Sequence, residues 1–344
     1  MDPSGHGLGT LGETRGPAVP AMALSGPARR LLVVVLNYNG IADTLACLAS
    51  LRAQTCGSFA TLVIDNGSRA DDLGRITADF PEVEVIALPE NRGWAGGNNV
   101  GLRLALERGF TDVCLLNNDT VLQPDALAEL LAAAAAVGAP CLMQPVIRDF
   151  DDPTRAQLLP GPAPATPDVQ ARRLAELHDV VEISWAYGAC LLLPEEMMRR
   201  VGLLDERFFL QLEEQDYFRR AARLGMRSYC ARRSCILHKE SVSFGGRVTA
   251  TKTYYQIRNG LLLAEKHDAT PAGMLRALRA LLWTLRHQAG AAASSRAGFV
   301  RWLLSADDLA RAARQGVRDY VARRFGPRPV SPASRSGAAP RHAG

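Results

Sequence analysis

Four short apolar segments alternate with four segments of helical pattern, and this alternation constrains the fold more than any other feature. The apolar segments cover residues 31–36, 61–64, 83–88 and 113–116, and the helical ones cover 41–53, 73–79, a stretch ending near 108, and 124–137. Continuous apolar segments rich in valine, leucine and isoleucine are typical of strands buried on both faces of a parallel sheet. The sequence therefore predicts an α/β fold with a doubly wound, mostly parallel central sheet flanked by helices.

A polar cluster follows each apolar segment, where the strand is expected to end. The clusters are Asn37-Tyr38-Asn39-Gly40, Asp65-Asn66-Gly67-Ser68, Asn91-Arg92-Gly93-Trp94-Ala95-Gly96-Gly97-Asn98-Asn99 and Asn117-Asn118-Asp119-Thr120. Ligands of open α/β sheets bind beyond the carboxyl ends of the strands. One cluster alone is better explained as a solvated turn, but four clusters at one edge favour a nucleotide-type ligand site.

Several side chains carry candidate chemistry. Asp119 offers the hard oxygen that Mg²⁺ or Mn²⁺ prefers. Glu213, Glu214 and Asp216 begin a predicted helix after an apolar segment, and carboxylates beside an apolar wall have raised pKa values and serve as bases. An acidic first turn that merely complements the helix dipole is the alternative. His238 ends a strand-like segment, and a core histidine is its default interpretation.

The formal net charge of +5 is unevenly distributed along the chain. Residues 271–344 contain thirteen arginines, three aspartates and no lysine or glutamate, a charge of +10, so the first 270 residues carry −5. The basic character therefore belongs to the C-terminal part and not to the predicted catalytic part. This distribution argues against nucleic acid as the main ligand and indicates an anionic surface as a partner of the C-terminal part.

Cysteine usage and hydropathy indicate a cytoplasmic protein. The seven cysteines form no CxxC pair and lie mostly in apolar segments, which favours reduced thiols. No apolar segment reaches the ~18 residues needed to span a bilayer, and the N-terminal pattern is not that of a secretion signal. Residues 1–28 and 327–344, rich in Gly, Pro, Ala and Ser, are expected to be disordered, so that Met1 and Met22 are alternative starts.

The second half of the chain is less regular. The strand pattern dissolves after Met143-Gln144-Pro145, and residues 149–180, with five prolines, are expected to form a long loop or flap. From residue 271 the pattern is helical and basic, with one apolar stripe at a spacing of three to four. The stripe consists of Phe299, Leu303, Ala306, Leu309, Ala313, Val317 and Tyr320. It suits either packing against the preceding domain or docking on the inner face of the cytoplasmic membrane.

The order and spacing of the motifs resemble one known family. Besides the four clusters, the motifs are Gly188-Ala189-Cys190, Asp205-Glu206-Arg207-Phe208-Phe209, Glu213-Glu214-Gln215-Asp216 and Arg258-Asn259. Together they resemble the inverting family-2 glycosyltransferases of the GT-A fold, especially the bacterial rhamnosyltransferase-like branch. The resemblance covers roughly residues 30–265 and implies a GT-A domain over 29–268, followed by a basic amphipathic helical extension over 269–326.

The resemblance also implies roles for individual residues. The residues expected to bind the nucleotide sugar are Asn37, Asn39, Asp65, Asn91, Arg92, Gly93, Gly97, Asn98, Asn117 and Asn118. The glycines are expected to let the backbone approach the ligand. Asp119 and His238 match metal-binding positions, and Asn117 replaces the first acid of the family's Asp-x-Asp motif.

Glu214 matches the catalytic base of the family, with Glu213 as the alternative. Asp216 belongs to the same catalytic cluster and resembles a supporting partner of the base. Trp185 is a candidate for acceptor recognition because an indole face suits sugar packing, and core packing is its alternative.

The implied function is metal-assisted transfer of a sugar from a nucleotide-diphosphate donor, dTDP-rhamnose favoured, to a hydroxyl of a glycan or lipid-linked acceptor, with inversion. A nucleotidyltransferase is less consistent with the sequence, because no cation follows the first strand in Asn37-Tyr38-Asn39-Gly40. A non-catalytic scaffold would be expected to lack Asp119, Glu214 and Asp216. A dinucleotide-binding oxidoreductase is disfavoured because no GxGxxG follows the first strand.

Overall fold

The computed structural model describes residues 29–69, 73–158, 178–239 and 248–329. The predicted leader (1–28, including Met1 and Met22), residues 330–344 of the predicted tail and residues 159–177 of the predicted loop lie outside these ranges. Arg328 belongs to the predicted tail, and its backbone N–H donates to the Tyr255 hydroxyl at 2.8 Å.

The described residues form ten strands and ten α-helices. The strands are β1 (Leu31–Asn37), β2 (Phe59–Asp65), β3 (Glu84–Ala87), β4 (Asp112–Asn117), β5 (Thr120–Leu122), β6 (Leu142–Asp149), β7 (Ala156–Leu158), β8 (Val180–Glu182), β9 (Cys190–Pro194) and β10 (Ser228–His238). The helices are α1 (Ile41–Arg52), α2 (Leu73–Asp79), α3 (Gly93–Glu107), α4 (Ala126–Val137), α5 (Glu195–Val201), α6 (Glu213–Arg223), α7 (Ala250–His267), α8 (Pro271–Ala289), α9 (Arg296–Leu304) and α10 (Asp308–Val321).

The first four strands form the parallel half of the sheet that the alternation predicts. The order is β3-β2-β1-β4, and all three pairings are parallel. Every residue of β1 is buried because the strand is covered on both faces. Val33 and Val35 pack with residues of α1, α2 and α4, whereas Leu32 and Val34 pack with residues of α3, α5 and α6.

The other half of the sheet is mixed, which the alternation does not predict. β9 runs antiparallel between β4 and β6, and β10 pairs in parallel with β6 and antiparallel with β5. The strand pattern does not dissolve after Pro145, because β6 continues to Asp149. Pro145 has no N–H to donate to a ladder, and β6 meets β9 only at Met143 and Leu192.

The C-terminal helices pack against α7. Phe299, Leu303, Leu309, Ala313 and Tyr320 of the predicted stripe join a cluster with Ile257 and Leu261 of α7. The packing alternative is therefore correct for these stripe residues, whereas Val317 is exposed. Small residues allow the close crossing of α7 and α10, since a Cβ on Gly316 would lie 2.8 Å from the Tyr254 carbonyl. Within the described ranges, none of the helices is long and apolar enough to cross a membrane.

Candidate active site

The carboxyl ends of β1, β2, β4, β6 and β10 lie at one edge of the sheet because these strands are mutually parallel. β9 is antiparallel to them, so its start lies at this same edge. The edge therefore brings together Asn37, Asp65, Asn117 and His238, which lie far apart in the sequence. The motif-bearing strand ends were predicted to meet in this way, and the structure adds the β10 end.

Asn37, Asp65 and Asn118 hold the ends of three strands together. The Asn37 amide donates to Asp65 Oδ1 at 2.8 Å and also contacts Ser68 Oγ at 3.3 Å. Asn37 Oδ1 accepts from the Thr44 hydroxyl at 2.9 Å, and the Asn118 amide donates to Thr44 Oγ1 at 3.0 Å. These buried polar groups therefore satisfy one another and fix the shape of the edge.

Asn39 closes the turn after β1. Its φ is 53°, and its Oδ1 accepts from the backbone N–H of Arg69 at 2.9 Å. An asparagine tolerates this left-handed conformation better than most residues. Asn39 therefore ties the β1 turn to the β2 turn at the predicted nucleotide side.

Residues 91–98 wrap around Asn66. The Asn66 amide donates to Asn91 Oδ1 at 3.1 Å, and Asn66 Oδ1 accepts from the Arg92 N–H at 2.9 Å. The Arg92 side chain forms an ion pair with Glu206 at 3.2 Å. The Asn98 amide nitrogen donates to the Trp94 carbonyl, while its buried Oδ1 has no hydrogen-bond partner. Among these predicted ligand residues, Asn98 thus retains one buried unsatisfied acceptor.

The glycines of this loop are required by contacts within the protein. Gly93 has φ of 73°, and a Cβ there would lie 2.2 Å from the Phe209 carbonyl oxygen. A Cβ on Gly97 would lie 2.4 Å from Leu36 Cδ1, where α3 crosses β1. Protein atoms thus fill the space that a Cβ would need at both glycines, and the approach of a ligand to this loop stays a prediction.

The Asn117 side chain accepts a hydrogen bond from within the protein. Its Oδ1 accepts from the indole Nε1 of Trp94 at 2.7 Å. The indole also lies 3.4 Å from the position of a Cβ on Gly188. Asn117 thus positions the start of α3 against the start of β9, and the carboxylate next along the turn belongs to Asp119.

Asp119 and His238 face each other across the antiparallel pairing of β5 and β10. His238 Nε2 lies 3.3 Å from Asp119 Oδ1, and both side chains are largely buried. The other ring nitrogen, Nδ1, lies 2.7 Å from Gln157 Oε1, and the Gln157 amide nitrogen donates to the His238 carbonyl. Because that donation fixes the amide orientation, Oε1 must accept, so Nδ1 carries a proton.

This arrangement fits a divalent cation. Because Nδ1 is engaged by Gln157, Nε2 and a carboxylate oxygen of Asp119 are the two donor atoms left facing each other, and a cation could lie between them. Within the described ranges, no group of three or more His, Cys, Asp or Glu side chains could hold a metal ion. Two protein ligands nevertheless suit Mg²⁺ or Mn²⁺, which completes its shell with phosphate oxygens and water.

Glu213 and Glu214 have different environments. Burial raises the pKa of Glu213 well above its usual range, the Glu214 charge raises it further, and Glu213 Oε2 has no hydrogen-bond partner. Burial also raises the pKa of Glu214, to about 7, where backbone N–H groups and the Gln215 side chain limit the rise. Burial and the neighbouring charge thus favour the protonated form of Glu213, whereas Glu214 is poised to exchange a proton near pH 7.

The loop that presents these acids is strained. Phe209, Gln211 and Leu212 have φ of 64°, 70° and 70°, in the left-handed region that non-glycine residues seldom occupy. Strain of this kind persists only where the surroundings enforce it, and it clusters at active sites.

Two residues of α7 enforce the loop. The Asn259 amide nitrogen contacts the carbonyls of Phe208, Leu210 and Gln211 at 2.7–2.9 Å. The buried Arg258 guanidinium donates to the Phe208 carbonyl at 2.7 Å and to the Gly326 carbonyl at 2.7 Å. The sequence motif Arg258-Asn259 thus holds the loop that precedes Glu213 and Glu214.

Asp216 is a fixed, charged support. Its carboxylate lies 2.9 Å from Arg220 Nε, 2.7 Å from Lys266 Nζ and 2.9 Å from His267 Nε2. Burial alone would raise the pKa of Asp216, but hydrogen bonds from Lys266 and His267 and the nearby Arg220 charge lower it. A fully buried carboxylate with three partners positions α6 and is poorly suited to take a proton.

Trp185 is 45% exposed, so the core-packing alternative is wrong. Its ring meets Tyr187 edge-on at 6.4 Å, and Tyr187 in turn meets His238 at 5.7 Å. The Ala186 carbonyl accepts from the Gln215 amide at 2.5 Å. The segment 185–187 therefore joins the helix start that carries Glu214 to the Asp119–His238 pair.

Sequence reasoning missed several supporting residues. Gln157 lies in the predicted loop, Thr44 lies in the first turn of α1, and Ser68 ends a predicted cluster without having been assigned a role. Lys239 forms an ion pair with Asp43 at 2.6 Å beside His238. Glu206 belongs to the motif Asp205-Glu206-Arg207-Phe208-Phe209. Its ion pairs with Arg92 and Arg103 could have been suggested from the sequence only by their opposite charges. None has a spacing that would identify it before the fold is known.

Comparison with known proteins agrees with this site. Residues 32–189 match the model of glycosyl transferase family 2. The matched residues make up just under half of the chain, which is a glycosyltransferase similar to this family. It is 27% identical over 279 residues to the N-acetylglucosaminyl-diphospho-decaprenol L-rhamnosyltransferase of Mycobacterium tuberculosis, a match that covers 74% of this chain and 89% of that protein. It is 22% identical over 271 residues to the dTDP-rhamnosyl transferase RfbF of Shigella flexneri, covering 75% and 86%.

Solved structures share the fold of this glycosyltransferase. The mannosyltransferase PcManGT of Pyrobaculum calidifontis, solved in complex with GDP-Man and Mn²⁺, superposes with a TM-score of 0.53 at 16% identity, covering 86% of this chain and 88% of that one. TarS of S. aureus gives 0.53 at 15% identity over 85% of this chain, which spans 49% of the TarS chain. These likenesses show the predicted GT-A fold.

Proposed function

We propose that this glycosyltransferase moves rhamnose from dTDP-rhamnose to a hydroxyl of a lipid-linked glycan, with inversion of the anomeric carbon. The two relatives named above carry rhamnosyltransferase names, and one of those names specifies a diphospho-decaprenol acceptor. The enzyme would act in the cytoplasm at the inner face of the membrane, where such an acceptor is presented.

One observation carries the proposal. Glu214, with its pKa raised to about 7, is linked through Gln215 and the segment 185–187 to the Asp119–His238 pair. A base near neutral pKa and a diphosphate-binding cation site are the two groups that single-displacement sugar transfer needs. The strand-end network of Asn37, Asp65 and Asn118 supplies a preformed edge for the nucleotide.

In the proposed reaction Glu214 takes the proton of the acceptor hydroxyl. The acceptor oxygen forms a bond to the anomeric carbon while the bond from that carbon to the diphosphate breaks on the opposite face. Asp119 and His238 would hold Mg²⁺ or Mn²⁺, which supplies positive charge for the departing diphosphate when bound. The exposed face of Trp185 would pack against a sugar of the acceptor.

The test uses the full-length protein with a panel of donors: dTDP-rhamnose, UDP-glucose, UDP-N-acetylglucosamine and GDP-mannose. Each donor is combined with a polyprenyl-diphospho-sugar acceptor, with Mg²⁺, Mn²⁺ or EDTA. We expect product only or mainly from dTDP-rhamnose, loss of product in EDTA, and an NMR coupling constant of the inverted anomer. Preference for another donor would refute the rhamnose assignment, and a retained configuration would refute the displacement.

A further inference from the structure

The outer side of α8 exposes large apolar side chains. Leu275, Leu278, Leu282 and Trp283 are 47%, 44%, 38% and 66% exposed. The three leucines recur at a spacing of three and four, so they form one continuous stripe along the helix. We call these four residues, together with Arg276, Arg279 and Arg286, the α8 outer face.

The inner side of α8 already supplies the packing that the helix needs. Met274, Leu281 and Leu285 belong to the cluster formed with α7. The fit is tight, because a Cβ on Gly260 of α7 would lie 2.8 Å from Leu281 Cδ2. The outer leucines are therefore not needed for the packing of α8 within the described residues. An exposed apolar stripe of this length is typical of an interaction surface.

The charge around the stripe has one sign. Residues 269–306 contain five arginines and no acidic residue. Arg276 pairs with Asp268, whereas Arg286 donates to the carbonyls of Ala293 and Ser294 and so keeps its net charge. Arg279 is exposed on the same face. A partner that complements this face must combine an apolar interior with negative surface charge.

An open cavity adjoins the stripe. It measures about 530 Å³ and is lined by Trp283, Arg286, His287, Gly290, Ala293 and Ser294. The Trp283 ring stacks on His287 with centroids 4.8 Å apart. An indole beside a guanidinium at the rim of an apolar face is the arrangement that suits the headgroup level of a bilayer, where the phosphate meets the cation.

We propose that the α8 outer face docks this enzyme on a bilayer containing anionic phospholipid. The leucine stripe would enter the acyl boundary while the arginines contact phosphates, as in interfacial amphipathic helices. Two copies of the face would oppose arginines to arginines, which argues against a second copy as the occupant. The inference adds a surface to the proposed function and depends on it only for the reason to dock.

The test measures flotation of the full-length protein with vesicles of phosphatidylcholine alone or mixed with phosphatidylglycerol. The variant is the double substitution Leu278→Gln and Leu282→Gln, and its matched control is Leu224→Gln, since Leu224 is 45% exposed at the end of α6. Arg279→Gln is compared with Arg75→Gln, an exposed arginine of α2. Circular dichroism and thermal unfolding verify that each variant is folded.

We expect binding to phosphatidylglycerol vesicles and little binding to phosphatidylcholine alone. The double leucine variant should bind at least tenfold more weakly and Arg279→Gln several-fold more weakly, while both controls bind like the wild type. Tryptophan emission should shift to shorter wavelength on binding, and Trp283→Phe should remove that shift.

Three results would overturn the proposal: no flotation with anionic vesicles, undiminished flotation of the double leucine variant, or a dimer in light scattering that the double variant dissociates while no vesicle binds. Transfer to a water-soluble acceptor fragment, measured without vesicles, is scored separately. A wrong donor assignment would abolish that activity without affecting flotation, so the two proposals can fail independently.

Discussion

The proposed nucleotide side and the proposed catalytic side of this glycosyltransferase are built by different means. On the nucleotide side, Asn37, Asp65 and Asn118 lie at strand ends and are joined by side-chain hydrogen bonds. On the catalytic side, Glu213 and Glu214 follow a strained loop that is held by Arg258 and Asn259. The first side is a consequence of sheet topology, and the second depends on helix packing far along the chain.

This difference predicts how each side responds to substitution. A strand-end residue should affect donor binding while the sheet stays folded. A residue that holds the strained loop should affect both stability and turnover, because left-handed non-glycine conformations cost of order 1–3 kcal/mol each and persist only when enforced.

The largest effect is expected for Glu214→Gln. Removing the base should lower kcat by about 10² to 10⁴ while donor binding, measured by calorimetry, stays nearly unchanged. Glu213→Gln is the matched control, and it should be mild because burial favours the protonated form of Glu213, whose shape glutamine copies. A larger loss in Glu213→Gln than in Glu214→Gln would transfer the role of base to Glu213.

Asn259→Ala should release the loop that precedes Glu213 and Glu214. Leaving buried carbonyls without donors costs roughly 1–3 kcal/mol, so denaturant unfolding should show a comparable loss, and kcat should fall with an altered pH profile. Gln256→Leu on the same helix is the control, because its Oε1 accepts from Gln288 and not from the loop. Equal effects of both substitutions on the pH profile would refute a positioning role.

Gln157→Leu should weaken metal activation by about 10- to 100-fold, because a partner that orients a metal-binding histidine contributes that much to affinity. Asp119→Asn and His238→Ala should have larger effects on the same Mn²⁺ titration of activity. Unchanged half-saturation by Mn²⁺ in all three variants would refute metal binding at this pair.

Near neutral pH, the smallest effect is expected from pH itself. Because Glu214 acts as a base only when deprotonated and its pKa is raised to about 7, kcat/KM should fall about tenfold per unit as pH decreases below 7 and level off above it. Glu213→Gln should keep a profile of this form. A flat profile between pH 5 and about 8 would contradict the raised pKa.

The parallel half of the fold was predictable because each buried strand is a continuous apolar segment with a polar end. The mixed half was not, because β6 contains Pro145 and β9 is identified as antiparallel only by its neighbours. The residues at the sheet edge were predicted by motif order, and their internal hydrogen bonds could not be. Gly97 illustrates the limit: its need for a missing Cβ comes from Leu36, which no spacing in the sequence reveals.

At the candidate site, too, sequence spacing did not reveal the supporting contacts. The positions of Asp119 and His238 were predicted, but Gln157, which fixes the histidine tautomer, lies in a segment without periodicity. Glu213 and Glu214 are adjacent identical residues, and only their burial distinguishes them. The stripe from Phe299 to Tyr320 was correctly recognised as apolar, yet sequence periodicity is the same whether a helix packs on protein or on lipid.

The contacts that fix the loop before Glu213 can form only late in the synthesis of the chain on the ribosome. Arg258 bonds the Gly326 carbonyl, and Tyr320 and Phe325 pack with Phe208. At ~5–20 residues per second, the segment from Glu214 to Gly326 takes on the order of ten seconds to translate. The strand-end residues of β1, β2 and β4 are therefore translated well before the residues that hold the proposed base in place.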